Sequence, residues 1–106
     1  MIDIETIRIF VGETARHQGL PVYELIIREA RKRGLAGATV YRGVMGFGAN
    51  SQIHTSKILR LSEDLPIVIE IVDTPERIQA FLPHLESIQI KGAYSITPGK
   101  GMLHLK

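Results

Sequence analysis

The amino-acid sequence predicts an α+β fold in which four strands and two helices follow in the order β-α-β-β-α-β. Runs of β-branched residues with a period of two indicate the strands, and apolar residues at helical spacing indicate the helices. All of these segments fit within 106 residues, of which 44% are hydrophobic. That length is typical of one compact domain with one core, so we treat residues 1–106 as a single domain.

The first half of the chain supplies a strand, a helix and a second strand. Apolar residues alternate with others from Ile4 to Val11. Pro21 suits the first position of a helix, the basic run Arg31 to Arg33 suits its last turn, and Gly34 is a natural stop. The β-branched and aromatic residues between Ala38 and Val44 predict the second strand.

The second half repeats this order. The stretch Leu65 to Val72 is nearly continuous in Ile and Val, which predicts a strand covered on its inner face by helices. Glu70 interrupts this run, and we interpret it as a strand residue that faces solvent or a subunit interface. Asp73 to Glu76 supplies capping oxygens and a proline, and apolar residues recur from Ile78 at i, i+3, i+4 and i+7. We expect Pro83 to end or bend this helix, and the apolar residues between Ile88 and Ile96 to form the fourth strand.

This element order is that of a ferredoxin-like sandwich, in which both helices cover one face of an antiparallel sheet. The other face would then expose apolar side chains to water. Monomers rarely leave such a patch open, so we expect the protein to self-associate.

Composition excludes several function classes. The formal charge is only +2, and there is no cysteine for disulfides, thiolate metal sites or nucleophilic catalysis. The four histidines lack metal-site spacing, so we expect no metal site. No serine sits in a nucleophile elbow, so we expect no catalytic residues. No apolar run is long enough to span a bilayer and the N-terminus lacks a signal-like segment, so we expect a cytoplasmic protein without membrane insertion.

The loop from Gly46 to about Leu61 is the main candidate for function, because loops of that length are usually functional or disordered. Glycines at its start would let backbone amides approach a phosphate. His54, Lys57 and Arg60 could bind phosphate or acidic groups of a partner, or belong to an ordinary solvated loop. We expect the segment from Gly46 to Arg60 to be mobile. No dinucleotide fingerprint or P-loop is present.

Two sets of residues carry a resemblance to a known family. Gly37-Ala38-Thr39-Val40, Gly46-Phe47-Gly48 and His54-Thr55 resemble the second strand and the T-loop base of PII signal-transduction proteins. The whole chain is similar to an uncharacterised family of short PII-like proteins, through Val40 to Gly48 and Leu65 to Asp73.

The resemblance implies a regulatory protein without enzymatic activity. Its subunits would form a homotrimer, with clefts between subunits that bind an adenine nucleotide (AMP, ADP or ATP) and with T-loops that contact a protein target such as a membrane transporter or an enzyme. Carried over by position, Thr39 would lie near the adenine. The residues beside the phosphates would be Gly46, Phe47, Gly48 and Ala49. Asn50 stands where PII proteins usually have a glutamine that helps bind a metal and 2-oxoglutarate.

The sequence departs from PII proteins before its last strand. The turn Thr-Gly-x-x-Gly-Asp-Gly-Lys is absent, and the shorter stretch from Glu86 to Gly92 stands in its place. Lys91 and Gly92 would be a reduced substitute, and Lys100 and His104 would supply cationic groups. With fewer phosphate donors, we expect AMP or ADP to bind better than ATP.

Two other classes of protein share the predicted fold. An RNA-recognition module has this element order, and Ile9 to Gly12 resembles the motif on its first strand. The third strand, however, lacks the basic and aromatic residues that stack on bases, so we expect no nucleic-acid binding. The other alternative is an enzyme or a metal-tolerance protein related to the trimeric divalent-cation family, and only the fold supports it.

Overall fold

The computed structural model describes residues 1–47, the backbone of residues 54–55, and residues 64–88 and 92–103. Within them the elements are, in chain order, β1 (Ile2–Gly12), β2 (Arg16–His17), β3 (Leu20–Pro21), α1 (Val22–Lys32), β4 (Gly37–Arg42), β5 (Met45–Gly46), β6 (His54–Thr55), β7 (Pro66–Asp73), α2 (Pro75–Ser87) and β8 (Ala93–Gly101). In this described part of the chain, no helix is long and apolar enough to cross a bilayer.

The four long strands form one antiparallel sheet in the order β4-β7-β1-β8. With α1 following β1 and α2 following β7, this arrangement confirms the predicted α+β, ferredoxin-like fold. The hairpin of β2 and β3 was not predicted. Its strands pair His17 with Leu20, and both residues of the turn, Gln18 and Gly19, have positive φ angles, as this kind of tight hairpin requires.

The core lies between the sheet and the helices. Alternate residues of the central strands point toward α1 and α2 and are at most 4% exposed: Ile7, Ile9, Val11, Ile67, Ile69 and Ile71. The helices bury Val22, Ile26, Ala30, Ile78, Phe81 and Leu85 against them. We call this side of the sheet the inner face.

Helix α2 does not end at Pro83, which was one of the two outcomes expected there, because it continues to Ser87. Pro83 itself is exposed, whereas Phe81 and Leu85 on either side of it are buried in the core. Packing of these side chains holds the last turn in place although the proline cannot donate a backbone hydrogen bond.

The fourth strand begins later than predicted. Ile88 lies at the C-terminal cap of α2, where its backbone N–H points to the carbonyl groups of Leu85 and Glu86, and its side chain belongs to the core. Strand β8 starts at Ala93 and runs to Gly101, five residues beyond the predicted end at Ile96.

Candidate functional site on the open face of the sheet

The face of the sheet that points away from the helices is the candidate site, and we call it the open face. Residues paired across antiparallel strands share a face. The pairings of Thr39 with Glu70, Glu70 with Arg8, and Arg8 with Ser95 therefore form one polar row across all four strands. The next row pairs Tyr41, Val68, Phe10 and Ala93 and is mostly apolar.

An ion pair lies in the middle of the polar row. The Nε atom of Arg8 donates a hydrogen bond to Oε2 of Glu70 at 2.9 Å. The two side chains are 40% and 28% exposed, respectively. Arg8 on β1 thus binds the carboxylate of Glu70, and Thr39 on β4 is paired with Glu70 on the other side. This position on the open face agrees with the interpretation that Glu70 faces solvent or an interface.

A cavity of about 400 Å³ opens beside this row. Its lining consists of Ala36, Gly37, Ala38, Thr39, Glu70, Val72, Met102 and Leu103. One hydroxyl group and one carboxylate therefore face a space whose other side-chain walls are small or apolar. Such a cavity suits a flat, mostly apolar group that can donate a hydrogen bond.

A buried carboxylate fixes one edge of this cavity. Asp73 is fully buried, and its two oxygens accept hydrogen bonds from the backbone N–H of Ala36 at 2.9 Å and of Thr74 at 2.6 Å. Arg77 lies 3.4 Å from the same carboxylate and also donates to the carbonyl of Gly34. The connection from α1 to β4 is thereby tied to the start of α2.

The segment that resembles the base of a T-loop begins at the other end of β7. The backbone N–H of Gly43 donates to the carbonyl of Pro66 at 2.7 Å. A Cβ atom at Gly43 or Gly46 would lie 2.6 or 3.0 Å from Cγ of Pro66, so both glycines allow the chain to pass close to this ring. Pairing of β5 with β6 brings the backbone of His54 opposite Gly46.

The structure separates the predicted nucleotide-binding residues into groups. Thr39 lies in the cavity beside Glu70, whereas Gly46 lies beside Pro66, which is four residues or about 13 Å along β7 from Glu70. Phe47 is 71% exposed after β5, and Gly92 is exposed before β8.

Lys100 does not join Thr39 within one chain. Gly99 and Gly101 lie next to Ile4 on the open face, so the side chain of Lys100 lies on the opposite side of β8. There its Nζ atom is 2.5 Å from Asp3.

Several predicted site residues fall outside the described residues: Gly48, Ala49, Asn50, Lys57, Arg60, Lys91 and His104, together with the side chain of His54. Their assignments, and the expected mobility of the segment from Gly46 to Arg60, stay predictions. Among the residues that the structure does describe, no group of three or more His, Asp or Glu side chains could hold a metal ion.

Two features of the site were not predicted from the sequence as parts of a ligand site. Glu70 was interpreted only as a strand residue, and Asp73 only as a helix-capping residue. Glu70 could have been found from the interruption of an Ile and Val run, because a charged residue inside a buried strand usually marks a special position. No comparable signal identifies the contact between Asp73 and Ala36, which are far apart in the sequence.

Comparison with known proteins connects this chain to one family. Residues 4–98 match the model of DUF190, described as an uncharacterized ACR. A UPF0166 protein of Aquifex aeolicus is 39% identical over 80 residues, which cover 76% of each chain. The resemblance to an uncharacterised family of short PII-like proteins is confirmed.

Solved structures with a similar fold are PII-like. CPII, a nitrogen regulatory PII-like protein from Thiomonas intermedia K12, was solved with ADP, AMP and bicarbonate bound. It matches with a TM-score of 0.61 at 16% identity, over 92% of this chain and 87% of that one. A putative PII-like signaling protein from Thermus thermophilus matches with a TM-score of 0.60 at 13% identity, over 98% and 91% of the two chains. At these identities the likeness shows a PII-like fold.

Proposed function

Because this chain belongs to the DUF190 family and has a PII-like fold, we propose that it is a regulatory protein that senses an adenine nucleotide. The nucleotide binds beside Thr39 and Glu70, in clefts of a homotrimer, and the T-loop transmits its presence to a protein partner. The protein catalyses no reaction in this role.

The cavity on the open face is the observation that carries the proposal. Adenine has two flat apolar faces, and its 6-amino group donates hydrogen bonds. Glu70 offers a carboxylate acceptor, Thr39 offers a hydroxyl group, and Val72 and Met102 offer apolar contact, all in one cavity of about 400 Å³. The ADP and AMP bound to CPII, which shares this fold, support the same class of ligand.

Self-association is supported by the apolar part of the open face. Ile2, Phe10 and Tyr41 are 45%, 43% and 51% exposed in the single chain. Packing of open faces in a trimer would remove these side chains from water.

A trimer would also bring separated groups together. Within one chain Thr39 and Lys100 lie on opposite faces of the sheet and on opposite edge strands. If Lys100 contacts the nucleotide that Thr39 binds, it must come from a neighbouring subunit. In that case the proposed cleft is complete only in the assembly.

Titration calorimetry with AMP, ADP and ATP, each with and without magnesium, tests the nucleotide. We expect binding of AMP or ADP, and about tenfold weaker binding by Glu70→Gln, which keeps the size of the side chain but removes its charge. The matched control is Glu29→Gln on α1, whose carboxylate forms an ion pair at the same 2.9 Å with Arg33. Absence of heat at millimolar nucleotide would remove the sensor function and leave the fold unchanged.

Light scattering after size exclusion tests the assembly independently. We expect a mass of three subunits, about 35 kDa from the 11.8 kDa chain. A monomer at micromolar concentration would contradict the proposed trimer.

A further inference from the structure

Among the described residues, Glu70 is the one acidic residue that lines the cavity, and its carboxylate accepts a hydrogen bond from Arg8. We propose that Arg8 is a positioning residue that sets the specificity of the cavity: it orients Glu70 so that the cavity prefers a purine with a 6-amino group. This inference rests on the proposed function and adds to it the residue that determines which base is accepted.

The geometry divides the two oxygens of Glu70 between two roles. Oε2 accepts the hydrogen bond from Nε of Arg8, and Oε1 has no hydrogen-bond partner among the described residues. Arg8 lies on β1 and does not line the cavity, whereas Thr39 lies on β4, on the other side of Glu70, and does. The oxygen that Arg8 does not use is therefore the one available to a ligand beside Thr39.

Positioning matters here because a glutamate side chain has several rotatable bonds. Without Arg8, Glu70 would lose its cross-strand contact and would have to be ordered by the ligand itself, which weakens binding. In the single chain this ion pair is partly exposed, and exposed pairs contribute little to the folding of a subunit. Removal of Arg8 should therefore affect ligand choice more than the folding of the subunit.

A second ion pair in the molecule provides a matched control. Arg33 and Glu29 also approach to 2.9 Å through Nε, with exposures of 43% and 26% that resemble those of Arg8 and Glu70. This pair joins α1 to its C-terminal cap residue, Arg33, at i, i+4 spacing, on the side of the sheet away from the open face. Substitution of Arg33 therefore removes a similar ion pair and leaves the cavity unchanged.

The test compares two ligands that differ only at the 6-position of the base: AMP and purine riboside 5′-monophosphate, which lacks the amino group. Dissociation constants are measured by calorimetry for the wild type, Arg8→Met, Arg8→Lys and Arg33→Met. Methionine keeps an aliphatic stem over the sheet, and thermal unfolding and light scattering check that each variant is folded and assembled.

We expect the wild type to prefer AMP about tenfold, Arg8→Met to prefer it about twofold, and Arg33→Met to keep the wild-type ratio. Arg8→Lys, which retains the charge, should restore part of the preference.

Equal weakening of both ligands in Arg8→Met would mean a merely structural role and would overturn the inference. A wild type that binds both ligands equally well would also overturn it, while leaving nucleotide binding intact. A wild type that binds neither would contradict the proposed function as well.

Discussion

The two faces of the sheet are built from alternate residues of the same strands, yet they differ in burial and in polarity. On β1 and β7 the inner face has isoleucines and valine that are at most 4% exposed, whereas the open face has Arg8, Phe10, Val68 and Glu70, each partly exposed. The backbone, its hydrogen bonds and its twist are common to both faces. Neighbouring residues on a strand therefore differ in role: one is buried and stabilises the fold, and the next is available to bind.

The largest expected effect tests the inner face. Ile69→Ala removes most of a fully buried side chain and leaves a cavity, so it should lower the free energy of unfolding by about 2–5 kcal/mol. Val68→Ala, next to it on the open face and only partly buried, should cost clearly less. Urea denaturation of both variants measures the difference, and equal losses would contradict the distinction between the faces.

The next variant is expected to affect both faces. Asp73 is the buried polar residue of the inner face, and it holds Ala36 at the edge of the cavity. Asp73→Asn replaces one of its acceptors by a donor, which should lower the free energy of unfolding by about 1–3 kcal/mol.

The same substitution should also weaken AMP binding. Denaturation and calorimetry on Asp73→Asn measure the two effects separately. A loss of stability with unchanged affinity would show that the edge of the cavity does not depend on this contact.

Substitution in the apolar row of the open face should affect folding less than the preceding variants do, but it should visibly affect assembly. Phe10→Asp places a charge where proposed subunits meet and should shift the protein toward monomers with little effect on subunit folding. Leu20→Asp on the β2–β3 hairpin is the control, because Leu20 and Phe10 are 42% and 43% exposed. Light scattering that shows the same mass for Phe10→Asp as for the control would argue against burial of the open face.

The sequence predicted the pattern within the long strands β1 and β7 and at the start of α2, but not the β2–β3 hairpin, the bounds of β8 or the contacts between elements. The alternation around Ile7 and Ile9 and the cap at Thr74, whose hydroxyl accepts from the N–H of Arg77, are local and were predicted. The continuation of α2 past Pro83 depends on core packing, which no local rule contains. The pairing of Glu70 with Arg8 depends on the register of two strands that lie 62 residues apart in the chain.

The candidate site was predicted in part. Thr39 came from the resemblance to PII proteins, and it lies in the cavity that Glu70 also lines. Within a single chain, Gly46 lies away from Thr39 because Pro66, which Gly46 contacts, is four residues along β7 from Glu70. Lys100 lies away from Thr39 because its side chain is on the opposite face of the sheet. A trimer could bring these residues together from neighbouring subunits, but a motif within one chain does not contain the contacts between subunits.

Mapping the AMP site by nuclear magnetic resonance on isotope-labelled protein tests the central claim most directly. The account predicts that backbone signals from residues 36–39 and 70–72 change on titration with AMP, while those of the solvent-facing side of α1 and α2 do not. Changes centred on the helices, or no changes at millimolar AMP, would contradict the assignment of the open face as the ligand site.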